Sequence, residues 1–503
     1  MTPVLLVRGG GSEAVLRDGV YIVGPEGLDT LLEHLSVPGE PLVSAVDFLA
    51  PDAYAPLPTI VQAARQLFER RELPMIRRAR AATDPALQYI SEIAREAART
   101  RTRHLVLLSG VPGSGKTLVG LQLVHAHWLD DHVVPRVNGK PSAPAVYLSG
   151  NGPLVQVLQH ALQDGGGAGK TFVQAIKGYV AYHSRPGRPV PPEHLVVFDE
   201  AQRAHDSERV ASVHKQPVDK SEPDLLIEFC ERIPEWCVLV ALIGNGQAIH
   251  VGEESGVPLW RDAVRRSHRA SDWTVHGAPA FTEVFVDMPA SSRWNPVLSL
   301  DTELRFHLTP KVHQFVAGLL DGQSAESLSK LADELHAGGH RFLLTRNLNA
   351  ARSYLRERYT DARFARFGLV ASSKDKWLPA FDVDNTFQTT KQLRVGPWYN
   401  ASPTDPQSCC QLETVATEFS SQGLELDCAL LAWGSDLLWA GDDWSIEFAG
   451  RNRPPLKDPL TVRKNVYRVL LTRGRDGTVV YVPDDRRMDQ TYERLLAAGL
   501  RGL

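Results

Sequence analysis

From about residue 80 to the C-terminus, short unbroken apolar runs alternate with amphipathic stretches of helical period. Leu105-Val106-Leu107-Leu108, Leu195-Val196-Val197-Phe198, Val238 to Ile243 and Phe342-Leu343-Leu344 are apolar at successive positions, as strands buried on both faces must be. The alternation predicts an α/β protein with parallel sheets. Residues before about 75 read differently: Val20-Tyr21-Ile22-Val23 is a short β-like run, Pro51 to Pro58 a Pro-rich turn region, and Val61 to Arg71 a helical pattern. A small α+β N-terminal unit follows from these. Loops at Gly165 to Gly169 and Arg185 to Pro192 read as surface insertions, and Gly338-Gly339 before Phe342 falls in a second boundary region. The expected division is 1–78, 79–300 and 301–503.

Length and composition narrow the classes. A chain of 503 residues supports several domains, and no apolar stretch reaches the length that spans a bilayer, so a cytoplasmic, membrane-free protein is expected. The five cysteines show neither metal-ligand nor disulfide-framework spacing. A formal net charge of -4 argues against coating nucleic acid through bulk positive charge. It leaves room for a local basic groove; the Arg70 to Arg80 and Arg95 to Arg103 segments read as solvated helix faces.

The chemistry starts after the first buried run. Gly110-Val111-Pro112-Gly113-Ser114-Gly115-Lys116-Thr117 follows Leu105–Leu108 and precedes a helical stretch, Leu118 to Leu129. Strand, Gly-rich loop and helix make a phosphate cradle: Gly110, Gly113 and Gly115, with Pro112 and Ser114 between them, let backbone N–H groups turn inward at the positive end of a helix. Lys116 then bridges the β- and γ-phosphates of ATP and Thr117 offers its hydroxyl to Mg²⁺. The run Leu195–Phe198 ends in Asp199-Glu200. A carboxylate at the tip of a parallel strand lies where such sheets bind ligands, so Asp199 is the expected metal ligand and Glu200 the general base for the attacking water.

Asp199-Glu200-Ala201-Gln202-Arg203 resembles motif II of superfamily 1 helicases. Later strings are similar to the other motifs in order: Gly244-Asn245-Gly246-Gln247 to motif III, Asp301-Thr302-Glu303-Leu304-Arg305 to motif IV, Thr417 to Asp427 to motif V, and Tyr467 to Arg475 to motif VI. More narrowly, the motif II, V and VI strings resemble a bacterial helicase-like family related to the helicase part of Schlafen proteins, over about residues 85 to 485. The resemblance implies two RecA-like P-loop NTPase lobes, ATPase activity, and single-stranded DNA or RNA as partner. It implies that Gln247 senses the γ-phosphate, that Arg305 and Arg473 reach the phosphates from the second lobe, and that Gln202, Gly423 and Glu425 join the nucleotide-binding set. Gln88, upstream of the phosphate loop, is the candidate reader of the adenine edge. Leu304 stands where many relatives place an adenine-stacking aromatic residue, with Phe306 on the other side of Arg305.

Partner contacts are expected at Ser149-Gly150-Asn151, which resembles motif Ia, at Ser372-Ser373-Lys374, and at Ser420-Ser421-Gln422. Small polar side chains at Ser149 and Asn151 equally suit a helix N-cap. Trp377, Trp398, Trp439 and Trp444 are candidates for stacking on bases or for core positions. The stretches Gly252 to Leu300 and Trp377 to Leu412 are short for the inserted wedge domains of unwinding enzymes. The leading expectation is an ATP-driven translocase or helicase. The other is a nucleotide-driven switch or defence-type ATPase that signals to a protein partner through the N-terminal unit. A nuclease in residues 1–75 is disfavoured, because Asp18, Asp29, Glu33 and Asp47 are joined by no Glu-x-Lys constellation.

Overall fold

The computed structural model describes the chain apart from residues 1–3, 8–9, 18–19, 36–60, 62, 65–76, 112, 127–128, 130–142, 165–168, 186, 188, 215–218, 245–255, 302–308, 363 and 450–457. Two compact units divide it, Met1–Ala55 and Pro56–Leu503. In the first, β1 (Val4–Leu6) pairs parallel with β3 (Val20–Val23), β3 pairs antiparallel with β2 (Val15–Arg17), and α1 (Leu28–Leu35) follows. The Pro51 to Pro58 region lies outside the described residues, as does most of the expected Val61 to Arg71 helix.

In the larger unit, α2 (Arg77–Thr100) leads into β4 (Arg103–Gly110), every residue of which is buried. Strands β5 (Ala145–Ser149), β6 (Val173–Ala175), β7 (Leu195–Asp199), β8 (Cys237–Gly244), β9 (Trp273–Gly277) and β10 (Ser291–Trp294) form one sheet with it, in the order β10-β9-β4-β8-β7-β5-β6. The short β11 (Ser299–Leu300) pairs with the end of β4, and every pairing in this sheet is parallel. Alternate side chains explain the continuous apolar runs. Val106, Leu108, Tyr147, Val197 and Leu242 face one cluster, with α2, α3 (Lys116–Val124) and α4 (Gly152–Asp164) above them. Leu105, Leu107, Leu148, Phe198 and Ile243 face the other, under α5 (Ile176–His183), α6 (Glu222–Arg232) and α7 (Gly256–Arg266).

A second parallel sheet follows. Its strands are β12 (Arg341–Thr345), β13 (Phe367–Ala371), β14 (Ala416–Thr417), β15 (Leu426–Ala432), β18 (Gly474–Tyr481) and β19 (Arg501–Gly502), in the order β14-β13-β15-β18-β12-β19. A small antiparallel ribbon, β16 (Leu438–Ala440) with β17 (Asp443–Ser445), is separate from it. The architecture is thus α/β with two RecA-like lobes. No described helix is long and apolar enough to cross a membrane. All five cysteines are free and buried.

The stretch after Trp377 builds no wedge. It folds back as a short helix, α8 (Val395–Asn400), that packs on α4 of the first lobe. Asn400 Nδ2 donates to the Val157 carbonyl at 3.0 Å and to the Gly396 carbonyl at 2.9 Å. The approach is close enough that a Cβ on Gly396 would sit 2.9 Å from His160 Cβ.

Candidate functional site

The phosphate loop joins β4 to α3. Gly113 and Gly115 adopt φ of 78° and 94°, which only glycine takes without strain, so the loop turns as the Gly spacing predicts. Gly110 is tightly enclosed as well: a Cβ there would lie 2.6 Å from Ser114 Oγ and 2.8 Å from the Leu300 carbonyl. Lys116 Nζ folds over the loop and donates to the carbonyls of Gly110 and Val111 at 2.8 and 2.9 Å. Ser114 Oγ is buried with no hydrogen-bond partner among the described residues. Such an orphaned hydroxyl, in a loop that leads into a helix start, suits a ligand rich in acceptor oxygens. Pro112 lies outside the described residues.

Asp199 ends β7, two strands from β4, and is 4% exposed. Burial, and then the neighbouring Glu200 carboxylate, push its carboxyl up to about 7. A cation beside it favours the ionised form. The buried Tyr147 hydroxyl lies against both Asp199 and Thr117 but makes no hydrogen bond of good geometry. Thr117 and Asp199 therefore share a neighbour, and a strand-tip carboxylate with a helix-start hydroxyl fits Mg²⁺, which takes few protein ligands and keeps phosphates and waters for the rest. No cluster of three or more His, Cys, Asp or Glu able to hold a metal occurs among the described residues.

Glu200 takes a left-handed conformation, φ 54° and ψ 40°, where a non-glycine residue is strained. Its neighbours hold it there. Arg203 N donates to the Glu200 carbonyl at 2.8 Å, and Trp260 Nε1 donates to the Ala201 carbonyl at 3.1 Å. Gln202 bridges: its Nε2 donates to Glu200 Oε2 at 2.5 Å while its Oε1 accepts from Gly244 N at 2.8 Å. The glutamine expected among the nucleotide contacts thus orients the carboxylate against the end of β8. Gln247 and Arg305 both lie outside the described residues.

In the second lobe Arg473 braces the motif V loop. Its Nε donates to the Val469 carbonyl at 2.8 Å, and its Nη1 to those of Leu424 and Ser421 at 3.0 and 3.3 Å. Gly423, at φ 73°, sits so near the first lobe that a Cβ would lie 1.8 Å from Asn151 Nδ2. Glu425 is half-buried, and its carbonyl accepts from Tyr399 Oη at 2.6 Å. Gln88 lies on the exposed side of α2, donating to Glu92 at 3.0 Å.

The expected partner contacts separate into groups. Asn151 Oδ1 accepts from Leu154 N at 3.3 Å, so it caps α4, and Ser149 Oγ accepts from Asn151 N at 3.1 Å. Ser373 is tied to Glu418 through its N and Oγ at 2.9 and 2.6 Å, joining that contact string to the Thr417 to Asp427 stretch. Ser372 is buried, donating to Asp436. Trp398 and Trp444 are core residues, and Arg494 covers Trp439 at 4.4 Å. Trp377 is 45% exposed, with the Arg487 guanidinium 4.1 Å from its ring centre.

The residues that the sequence pattern did not single out are Tyr147 and Gly120. Tyr147 was readable only as one aromatic position in an aliphatic strand, and Gly120 as a helix glycine after the phosphate loop.

With lobes, phosphate loop and strand-tip acids in place, the family is decided by the whole pattern. Residues 103–484 match the Schlafen group 3 DNA/RNA helicase domain. The chain belongs to that family. This helicase-like chain has no match among curated proteins. Among solved structures, the helicase domain of Pyrococcus furiosus Hef is similar over 80% of this chain and 97% of that one, at 11% identity and a TM-score of 0.25, too loose a likeness to transfer any residue's role.

Proposed function

We propose that this helicase-family chain is a Mg²⁺-dependent ATPase of superfamily 1 type that moves along single-stranded DNA or RNA. The observation that carries the reading is the convergence of Lys116 and Thr117, at the start of α3, with Asp199 at the tip of β7 and a Glu200 held in a strained conformation. Lys116 exchanges the Gly110 and Val111 carbonyls for β- and γ-phosphate oxygens. Thr117 and Asp199 would hold Mg²⁺, which when bound would supply positive charge to offset that of the phosphates. Glu200, aimed by Gln202, takes the proton of the attacking water. Arg473 and Arg305 supply positive charge from the second lobe, so hydrolysis is coupled to the fit between lobes.

Gln247 reports the γ-phosphate to β8 in this scheme. Gly423 and Glu425 line the second-lobe side and Gln88 the adenine side of the nucleotide site. The track passes the Ser373–Glu418 pair and the exposed Trp377. A second reading, a nucleotide-driven switch, draws support from the separate Met1–Ala55 unit, where Leu5, Leu6, Val15 and Leu16 are each at least half exposed. Such a surface suits a protein partner.

Steady-state ATP hydrolysis by the purified protein, alone and with single-stranded DNA, single-stranded RNA or duplex, tests the proposal, with Glu200→Gln as blank. Strong stimulation by one single strand is expected. Hydrolysis indifferent to every nucleic acid favours the switch, and no hydrolysis above the blank overturns both.

A further inference from the structure

Tyr147 is fully buried in β5, on the face that looks toward α3. Its hydroxyl touches two groups on different elements: Thr117, in the first turn of α3, and Asp199, at the tip of β7. Gly120, one turn beyond Thr117, gives the ring its place. A Cβ there would stand 3.0 Å from Tyr147 Cε2 and from Val197 Cγ1, and 2.9 Å from Leu242 Cδ1. The helix backbone thus lies directly over the phenol. The same hydroxyl lacks a well-made hydrogen bond among the described residues, although both neighbours are polar.

Donor and acceptor capacity permits one directional chain through these groups. A threonine that gives an oxygen lone pair to a cation still has its O–H to donate, a phenol both accepts and donates, and a carboxylate only accepts. We propose that Tyr147 is a positioning residue: it accepts from the Thr117 hydroxyl and donates to the Asp199 oxygen turned away from the cation. The two ligands, which come from separate elements, are thereby set to one spacing. The inference rests on the Mg²⁺-nucleotide reading above and adds to it a residue outside the phosphate loop and motif II. Groups that orient metal ligands typically change metal affinity by about 10–100-fold when removed.

The test is binding of mant-ADP to the full chain, followed by fluorescence while Mg²⁺ is titrated. Tyr147→Phe keeps the ring and removes the hydroxyl. It is expected to raise the Mg²⁺ concentration at half-maximal binding about tenfold, with mant-ADP binding in EDTA and the thermal midpoint unchanged. Gly120→Ala, which pushes on the ring edge, is expected to shift the Mg²⁺ midpoint in the same direction. An unshifted midpoint in Tyr147→Phe overturns the inference alone. Mant-ADP binding by the unaltered chain that ignores Mg²⁺ overturns the nucleotide-site reading and the inference with it.

Discussion

The two lobes place polar groups at the same point of the fold, the C-terminal ends of their parallel strands, and treat them in opposite ways. In the first lobe Ser114 Oγ and Tyr147 Oη are buried without a well-made hydrogen bond among the described residues, and Glu200 is held in a strained conformation. In the second, Arg463 and Asp436 form an ion pair at 3.0 Å, exposed by only 4% and 0%. Tyr467 donates to Asp436 at 2.6 Å and Ser372 donates to it at 2.5 Å. Asp375 accepts from Ser435 N and Oγ at 2.6 and 2.7 Å and from the amides of Trp377 and Leu378. Arg463 Nε and Asn385 Oδ1 are the leftovers of that network among the described residues. Unsatisfied groups hold binding capacity in reserve, whereas satisfied ones fix a scaffold. The first edge is built to meet a ligand and the second to hold its shape.

Substitutions can break this contrast. Lys116→Ala and Glu200→Gln are expected to abolish ATP turnover, the second with nucleotide binding intact; near-normal hydrolysis by Glu200→Gln removes it as the base. Arg473→Ala is expected to lower turnover by roughly a thousandfold or more if its guanidinium serves the phosphates. Because Arg473 also braces the motif V loop, thermal unfolding must be followed alongside. A loss of only a few fold would make it a brace alone.

Arg463→Met leaves Asp436 buried without its cation and is expected to destabilise the second lobe by about 3–5 kcal/mol in denaturant titration. Tyr147→Phe, at the corresponding edge of the first lobe, should leave the unfolding midpoint almost unmoved. Equal losses from the two changes would dissolve the comparison.

A smaller effect belongs to the other end of the first sheet. There His104 Nδ1 and His276 Nε2 are 2.9 Å apart, and burial lowers their pKa values to about 4 and about 3. The unfolded chain binds protons on these rings at higher pH than the folded one. Their contribution to stability is therefore complete above about 6.5. It declines as pH falls from about 6.5 through about 4, by an amount on the order of a few kcal/mol. Unfolding followed between pH 7 and 4 should show this slope, and His276→Leu should flatten it. The smallest change expected is Asn400→Ala, about 1 kcal/mol from the lost bond to Val157, seen as easier lobe separation in small-angle scattering.

Why some of this was legible in the sequence and some was not follows from the range of each interaction. Leu105–Leu108 and Leu195–Phe198 announce buried parallel strands by composition, and Gly113, Gly115 and Lys116 announce a phosphate loop by local spacing. Strand β10 was not read from the stretch Gly252 to Leu300, because Ser291-Ser292-Arg293-Trp294 is an edge strand with exposed polar positions. Ser372 looked like a surface contact, since nothing nearby in sequence shows that Asp436, more than sixty residues on, would bury it. Gln202 as a bridge to Gly244, and Gly423 against Asn151, are likewise contacts made only by tertiary folding.

The helix α4 carries a mechanical consequence. Its start, capped by Asn151, abuts the Gly423 loop, and further along it bears α8, both from the opposite lobe. At 13 residues it is about 20 Å long, a short beam gripped at two points. A beam so gripped resists sliding and resists turning across its axis, and keeps only one easy freedom, rocking about its own length. Relative motion of the lobes is thereby steered into a pivot with α4 as its fulcrum, an angle rather than a distance.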